Sequence, residues 1–259
     1  MPTLDGNETI HEFITRISAT KSTQISLKKA FELNPASLTA TQNIIDKLCN
    51  TLRIGKDIYP RNLVEFLLQF DAYLTKLYQI VDTTKIEKLE KLTLLSASIE
   101  NGISGSYTDM SNEILIRVSV KHLNDTLRAF THEYGHRIDF TKRKALEASG
   151  ISTEYYYKER RNDFISNDTC ANLLRLESEL KKGEAGKYYM VQGEKTYIMK
   201  SHFSYYLNTL EVIARSFDSY IAYLIGLSAY TVDVTDNLVA PKYDEIKEAI
   251  EHHYKDYLM

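Results

Sequence analysis

Residues 131–140 read Thr-His-Glu-Tyr-Gly-His-Arg-Ile-Asp-Phe, and within them His132-Glu133-Tyr134-Gly135-His136 form an HExxH pattern. On a helix, positions i and i+4 stand one above the other on the same face, so both imidazoles can reach a single zinc ion at about 2.0–2.1 Å. Glu133 then lies beside the open position of that metal, where it can take a proton from activated water and hand it to a leaving amine. Leu123, Leu127 and Phe130 place an apolar stripe just before the pattern, as a buried helix requires, and that helix is expected to begin near Lys121 to Asn124. Because HExxH also arises by chance, a surface helix that merely carries two histidines is the plain alternative.

A catalytic zinc usually takes three protein ligands and leaves one position for water. A third histidine of the HExxHxxGxxH kind is excluded, since positions 139 and 142 hold Asp139 and Lys142. The best candidate lies in YLNTLEVIARSFDSYIAYL at 206–224, where Glu211 opens a predicted helix spanning about 203–227. Its neighbours Arg215 and Asp218 continue a polar stripe, while Val212, Ile213, Phe217 and Ile221 turn toward a core. Asp139, one turn beyond His136, is the expected partner of Arg215, a pair that would lock the two ligand helices together. The alternative for Glu211 and Arg215 is an ordinary i, i+4 surface pair.

Taken together, HEYGHRID and EVIARSFDSY resemble the gluzincin group of zinc metallopeptidases, and most closely the peptidase-like domain associated with large polyvalent proteins of phages and mobile elements. The resemblance covers about residues 100–225. It implies zinc ligands His132, His136 and Glu211, general base Glu133, and motif positions Asp139, Arg215, Phe217 and Tyr220 without an assigned chemical role. The chain departs from the thermolysin-like pattern, which has an aspartate where Arg215 stands. The expected fold is therefore α+β and mostly helical. It would have a zincin-like core with a small antiparallel or mixed sheet, two ligand-bearing helices and a helical N-terminal part. The expected division is 1–100 and 101–259.

The rest of the chain is read from periodicity. Helices are predicted along Ile10, Phe13, Ile14 and Ile17 with Asn7 or Thr9 as the cap, in a short stretch ended by Pro35, from Ala36 to Leu52 with Gly55 as the stop, from Pro60 along Leu63, Leu67, Phe70, Leu74, Leu77 and Val81, and over the Lys/Glu-rich stretch of roughly 84–99. The segment NGISGSYTDMSNEILIRVSV at 101–120 predicts a hairpin, with Ile114 to Val118 as the edge strand along which a peptide would add. No assignment emerges for 141–166. A helix is expected at 167–182, a hairpin around Gly193 and a last helix at 241–257.

Composition sets the outer limits. With 259 residues, 43% hydrophobic and 26% charged, the chain matches no collagenous or disordered class. A net charge of −3 offers no bulk signal for nucleic acid or an anionic membrane. Only 10 Gly and 4 Pro favour long helices. Cys49 and Cys170 form no metal-binding or disulfide pattern, so the donors must be nitrogen and oxygen. Asp5 and Glu8 near the start argue against a Sec-type leader, and the longest apolar run, Tyr220 to Tyr230, is far short of the ~20 residues that cross a bilayer. A cytoplasmic protein acting on protein or peptide substrates is expected, with delivery by a non-Sec route left open.

Of the 19 tyrosines, many gather on segments flanking the proposed ligand helices, particularly 155–157, 188–189, 205–206 and 220–230, and Tyr107, Tyr155, Tyr156, Tyr157, Tyr205 and Tyr206 are candidates for steadying an oxyanion, each with packing as its plainer role. His11, His122, His202, His252 and His253 make poor third ligands. Two further classes compete with the peptidase: a catalytically silent zinc-binding module, and a metal-free helical protein with a structural histidine pair.

Overall fold

The computed structural model describes residues 10–17, 21–55, 58–96, 104–165, 174–175, 188–191, 194–197, 205–229 and 239–259. The chain is mixed α/β and mostly helical, with a small mixed four-stranded sheet. It divides into two compact units, Met1–Glu133 and Tyr134–Met259.

In the first unit, helices α1 (Ile10–Ile17), α2 (Lys21–Leu33) and α3 (Ala36–Leu48) precede strand β1 (Cys49–Ile54). Helix α4 (Pro60–Leu77) then connects to strand β2 (Leu89–Leu95). The hairpin β3 (Gly105–Thr108) and β4 (Glu113–Arg117) follows, then the start of the long helix α5 (Leu123–Ala148). Strand order is β1-β2-β4-β3, with β1, β2 and β4 parallel and β3 antiparallel to β4. The sheet thus draws strands from both sides of residue 100.

Register makes one face of this sheet continuous. Leu52 is opposite Leu92, which is opposite Ile114, which is opposite Tyr107; the next row runs Ile54, Leu94, Ile116, Gly105. The six aliphatic side chains in these rows are all buried. The opposite face is more polar, and there Lys91 Nζ meets Glu113 Oε2 at 2.8 Å while Thr93 donates to Glu113 Oε1.

Three sequence expectations are corrected here. The stretch 84–99 is not a helix: Asp82 accepts a hydrogen bond from the Thr84 amide to cap a single 3-10 turn, and Leu89–Leu95 then extends as β2. Lys and Glu content suggested a helix, but Leu92 and Leu94 alternate with outward residues and fill central slots between β1 and β4, so non-local pairing overrides propensity. The helix from Ala36 stops at Leu48 rather than Leu52, because Cys49 turns to extended backbone and β1 starts without a loop. Finally, the strand Ile114 to Val118 is not the edge. Both sides of β4 are taken, by β2 and β3, and β3 is the outer strand.

Helix α4 matches its reading, with Pro60 in the first turn, although it ends at Leu77 and leaves Val81 beyond. Its buried Phe70 and Tyr73 meet Phe130 of α5 edge to face, at centroid distances of 4.8 and 6.2 Å.

The second unit holds the remainder of α5, helix α6 (Thr153–Ile165), the hairpin β5 (Tyr188–Val191) and β6 (Glu194–Tyr197), and helices α7 (Thr209–Ile225) and α8 (Tyr243–His253). The unassigned stretch 141–166 is therefore the end of α5 plus α6. The hairpin around Gly193 forms as expected, whereas the expected helix at 167–182 falls almost entirely outside the described residues. Helix α7 starts later than predicted because the Asn208 side chain accepts from the Leu210 amide as its N-cap, and it ends where Gly226 takes φ +80°. Among the described residues, no helix is long and apolar enough to cross a membrane.

Phe130→Ala should cost about 3–5 kcal/mol, because it empties a fully buried aromatic site. Urea unfolding of the purified chain measures this, and a loss below about 1 kcal/mol would contradict the packing described.

Candidate metal centre

His132 and His136 lie on α5, and Glu211 lies in the first turn of α7. One ligand atom from each of the three falls within 4.8 Å of the others, and all three residues are half-buried. The cluster could therefore hold a metal ion. His136 Nε2 and Glu211 Oε1 are 3.3 Å apart. Two ligands held at about 2.05 Å in a tetrahedron are separated by about 3.3 Å, whereas a charge-assisted hydrogen bond closes to about 2.7–2.9 Å. The donor set, two imidazoles and one carboxylate, fits zinc.

Close approach of the two helices makes this distance possible. A Cβ placed on Gly135 would stand 3.1 Å from Phe217 Cδ1 and 3.5 Å from the Ala214 Cα. The glycine between the two histidines thus lets the α7 backbone come against α5, with Glu211 at the level of His136.

Neither helix is a surface element. On α5, Leu127 to Thr131, Glu133 to Gly135 and Arg137 to Asp139 are buried, and α7 is buried at every position from Val212 to Ala222. Both plain alternatives, a surface histidine pair and a surface Glu211–Arg215 pair, fall on this burial.

Glu133 is buried, with only 9% of its surface exposed. It stands against the edge strand: a Cβ on Gly105 of β3 would lie 2.9 Å from Glu133 Cγ and 3.3 Å from its Oε1. The row Ile54, Leu94, Ile116 therefore ends on a residue without a side chain, and the space is filled by the Glu133 carboxylate arm.

The expected Asp139–Arg215 pair is not formed. Asp139 Oδ1 accepts from His253 Nε2 at 2.8 Å and from the Tyr157 hydroxyl at 3.1 Å, and Oδ2 accepts from the Tyr254 hydroxyl at 3.0 Å. Lys142, one turn on, donates to the His253 carbonyl. Asp139 thus ties α5 to α6 and to the end of α8. Arg215 turns the other way, donating to the Tyr206 carbonyl, with its guanidinium 5.7 and 5.2 Å from the Tyr205 and Tyr206 ring centroids. A helical i, i+3 offset from His136 placed Asp139 near the ligands but could not say which neighbouring element would reach its carboxylate.

His253 is the residue that sequence reasoning missed. Its side chain is fully buried against Asp139. Burial lowers its pKa from the ordinary 6.5, with Asp139 opposing that shift and Lys142 and Arg160 adding to it. Burial also pulls Lys142 down to about 8. Burial first, and the Asp139 carboxylate second, push the Tyr157 and Tyr254 hydroxyls far up, so both remain donors. The only sequence signal was the fact that His253 closes an amphipathic helix on its buried side with Ile246 and Ile250.

Among the tyrosine candidates, Tyr157 belongs to the Asp139 cluster, with Tyr156 at 3.5 Å from His253 Nδ1. Tyr205 and Tyr206 flank Arg215, and Tyr155 is exposed. Tyr107 shares with Gly105 the face of β3 turned toward Glu133.

Comparison with protein-family models, with curated proteins and with solved structures finds no match. The likeness to gluzincins accordingly rests on the residues named above.

Asp139→Ala should cost about 3–5 kcal/mol, since it strands a buried imidazole and two hydroxyls. The pH dependence has a definite sign. Below 6.5 the unfolded chain protonates His253 while the folded chain does not, so this contribution is complete above 6.5 and is lost as pH falls below it. Melting temperature followed from pH 7.5 to 5 should therefore drop less steeply in His253→Gln than in the parent; equal slopes would remove His253 as the titrating group.

Proposed function

We propose that this chain is a zinc-dependent metallopeptidase of the gluzincin kind, with a zincin-like core in which His132, His136 and Glu211 hold the metal and Glu133 is the general base. The observation that carries the proposal is the convergence of those three donors within 4.8 Å, with Glu133 next to one of them and buried against the edge strand. A zinc ion held there supplies Lewis acidity, polarising a carbonyl and lowering the pKa of water toward about 7.

The chain's own groups supply the remainder. Glu133 Oε accepts a proton from the attacking water as the water oxygen bonds to the carbonyl carbon. Glu133 then returns that proton to the departing amide nitrogen as the C–N bond breaks, leaving a carboxylic acid and an amine. Among the described residues, β3 is the outer strand of the sheet and its Gly105 stands against Glu133, which favours this strand for addition of an extended peptide. This moves substrate addition from the strand at Ile114–Val118 to Gly105–Thr108, beside Glu133. The small sheet with an antiparallel edge strand, followed by the histidine helix and a glutamate helix, supports the same reading.

Purified protein should carry close to one equivalent of zinc by elemental analysis. Glu133→Gln should keep the zinc and lower kcat on a denatured-protein substrate by a factor of about 10²–10⁴, whereas Glu211→Ala should lose the metal. Zinc bound without any peptide hydrolysis by the parent would shift the assignment to a silent zinc-binding module, and absence of zinc affinity would remove both. Gly105→Val should crowd Glu133 and Ile116, lowering kcat while zinc content is unchanged.

A further inference from the structure

Arg215 is a buried guanidinium held unevenly by its surroundings. Its side chain is 6% exposed. One terminal nitrogen, Nη2, donates to the Tyr206 carbonyl. The other, Nη1, lies 3.9 Å from Glu211 Oε2, within ion-pair reach, and among the described residues neither Nη1 nor Nε has a hydrogen-bond partner. Glu211 is therefore addressed from two sides. Its Oε1 stands 3.3 Å from His136 Nε2, and its Oε2 faces Arg215.

A carboxylate can bind a metal through one oxygen or through both. Two-oxygen binding by Glu211 would fill the position that a hydrolytic site must leave open. An ion pair to Oε2 opposes this, because swinging that oxygen to the metal would leave a buried guanidinium without its counter-charge. The guanidinium itself cannot swing after it, being tied to the Tyr206 backbone and set against two tyrosine rings. Its nitrogens Nη1 and Nε are sealed from solvent, which excludes a direct grip on substrate.

We propose that Arg215 is a positioning residue that restricts Glu211 to single-oxygen ligation and so keeps one metal position open. This rests on the zinc reading above. The arrangement has a cost in affinity, since a cation held near a divalent metal repels it. Outer partners of metal ligands usually strengthen binding by about 10–100-fold. Arg215 is distinguished from such a partner, and from a merely structural residue, by the opposite sign.

The test is cobalt(II) substitution and zinc affinity on the full chain. Parent protein loaded with cobalt(II) should show the intense visible bands of four-coordinate cobalt. In Arg215→Met those bands should weaken as Glu211 binds through both oxygens, and zinc should be held tighter, by a factor on the order of ten in chelator competition. Arg215→Lys, which keeps a charge on Oε2, should restore bands and affinity close to the parent. If Arg215→Met does not fold, Arg215→Gln carries the same comparison, because its amide can still meet the Tyr206 carbonyl. Unchanged bands, or weaker zinc binding in the folded Met or Gln variant, would overturn the proposal while leaving the zinc reading intact. A parent that binds neither zinc nor cobalt would take both down.

Discussion

Helices α5 and α7 approach so closely at Gly135 that a side chain there would meet Phe217 at about 3.1 Å, and the geometry of the candidate metal centre depends on this contact. A carboxylate in the first turn of one helix and an imidazole on another reach 3.3 Å only if their backbones are near and in register. A bulkier residue between the two histidines would push α7 outward and open the donor set. The glycine therefore does for the third candidate donor what the i, i+4 spacing does for the first two.

The sheet makes a comparable demand on Glu133. Leu52, Leu92 and Ile114 form one row, and Ile54, Leu94 and Ile116 the next, so the buried face is filled strand by strand toward the edge. At the edge, Gly105 leaves the second row unfilled and the Glu133 side chain occupies the gap. The same packing sets Glu133 against Gly105 of the outer strand and next to His132 in sequence, one of the three donors that could hold a metal.

Charges buried on the two ligand helices serve different ends. Asp139 gathers His253, Tyr157 and Tyr254 and fastens the C-terminal helix to α5 one turn beyond His136. Arg215 looks toward Glu211 and is fastened by backbone and rings at Tyr205 and Tyr206. Their spacing suggested that these two would pair with each other, but each is engaged elsewhere, Asp139 with His253 and Arg215 with the Tyr206 carbonyl.

What the sequence determined by itself was local. HExxH placed two imidazoles and a carboxylate on one helix because helical spacing is a property of the backbone, and Pro60 marked a helix start through its own conformational limits. The hairpin at Gly105–Arg117 was legible for the same reason, in its alternation and its turn residues. Only the tertiary structure decided the partners. Leu89–Leu95 became a strand because neighbouring strands offered it two edges, which no count of Lys and Glu could reveal. Tyr107 and Gly105 became the edge row through strand order, and Asp139 found His253 across a separation of 114 residues. Pairings of this kind depend on which elements share a core. The hydrophobic effect that assembles the core is non-directional, so it leaves little trace in the spacing of any one segment.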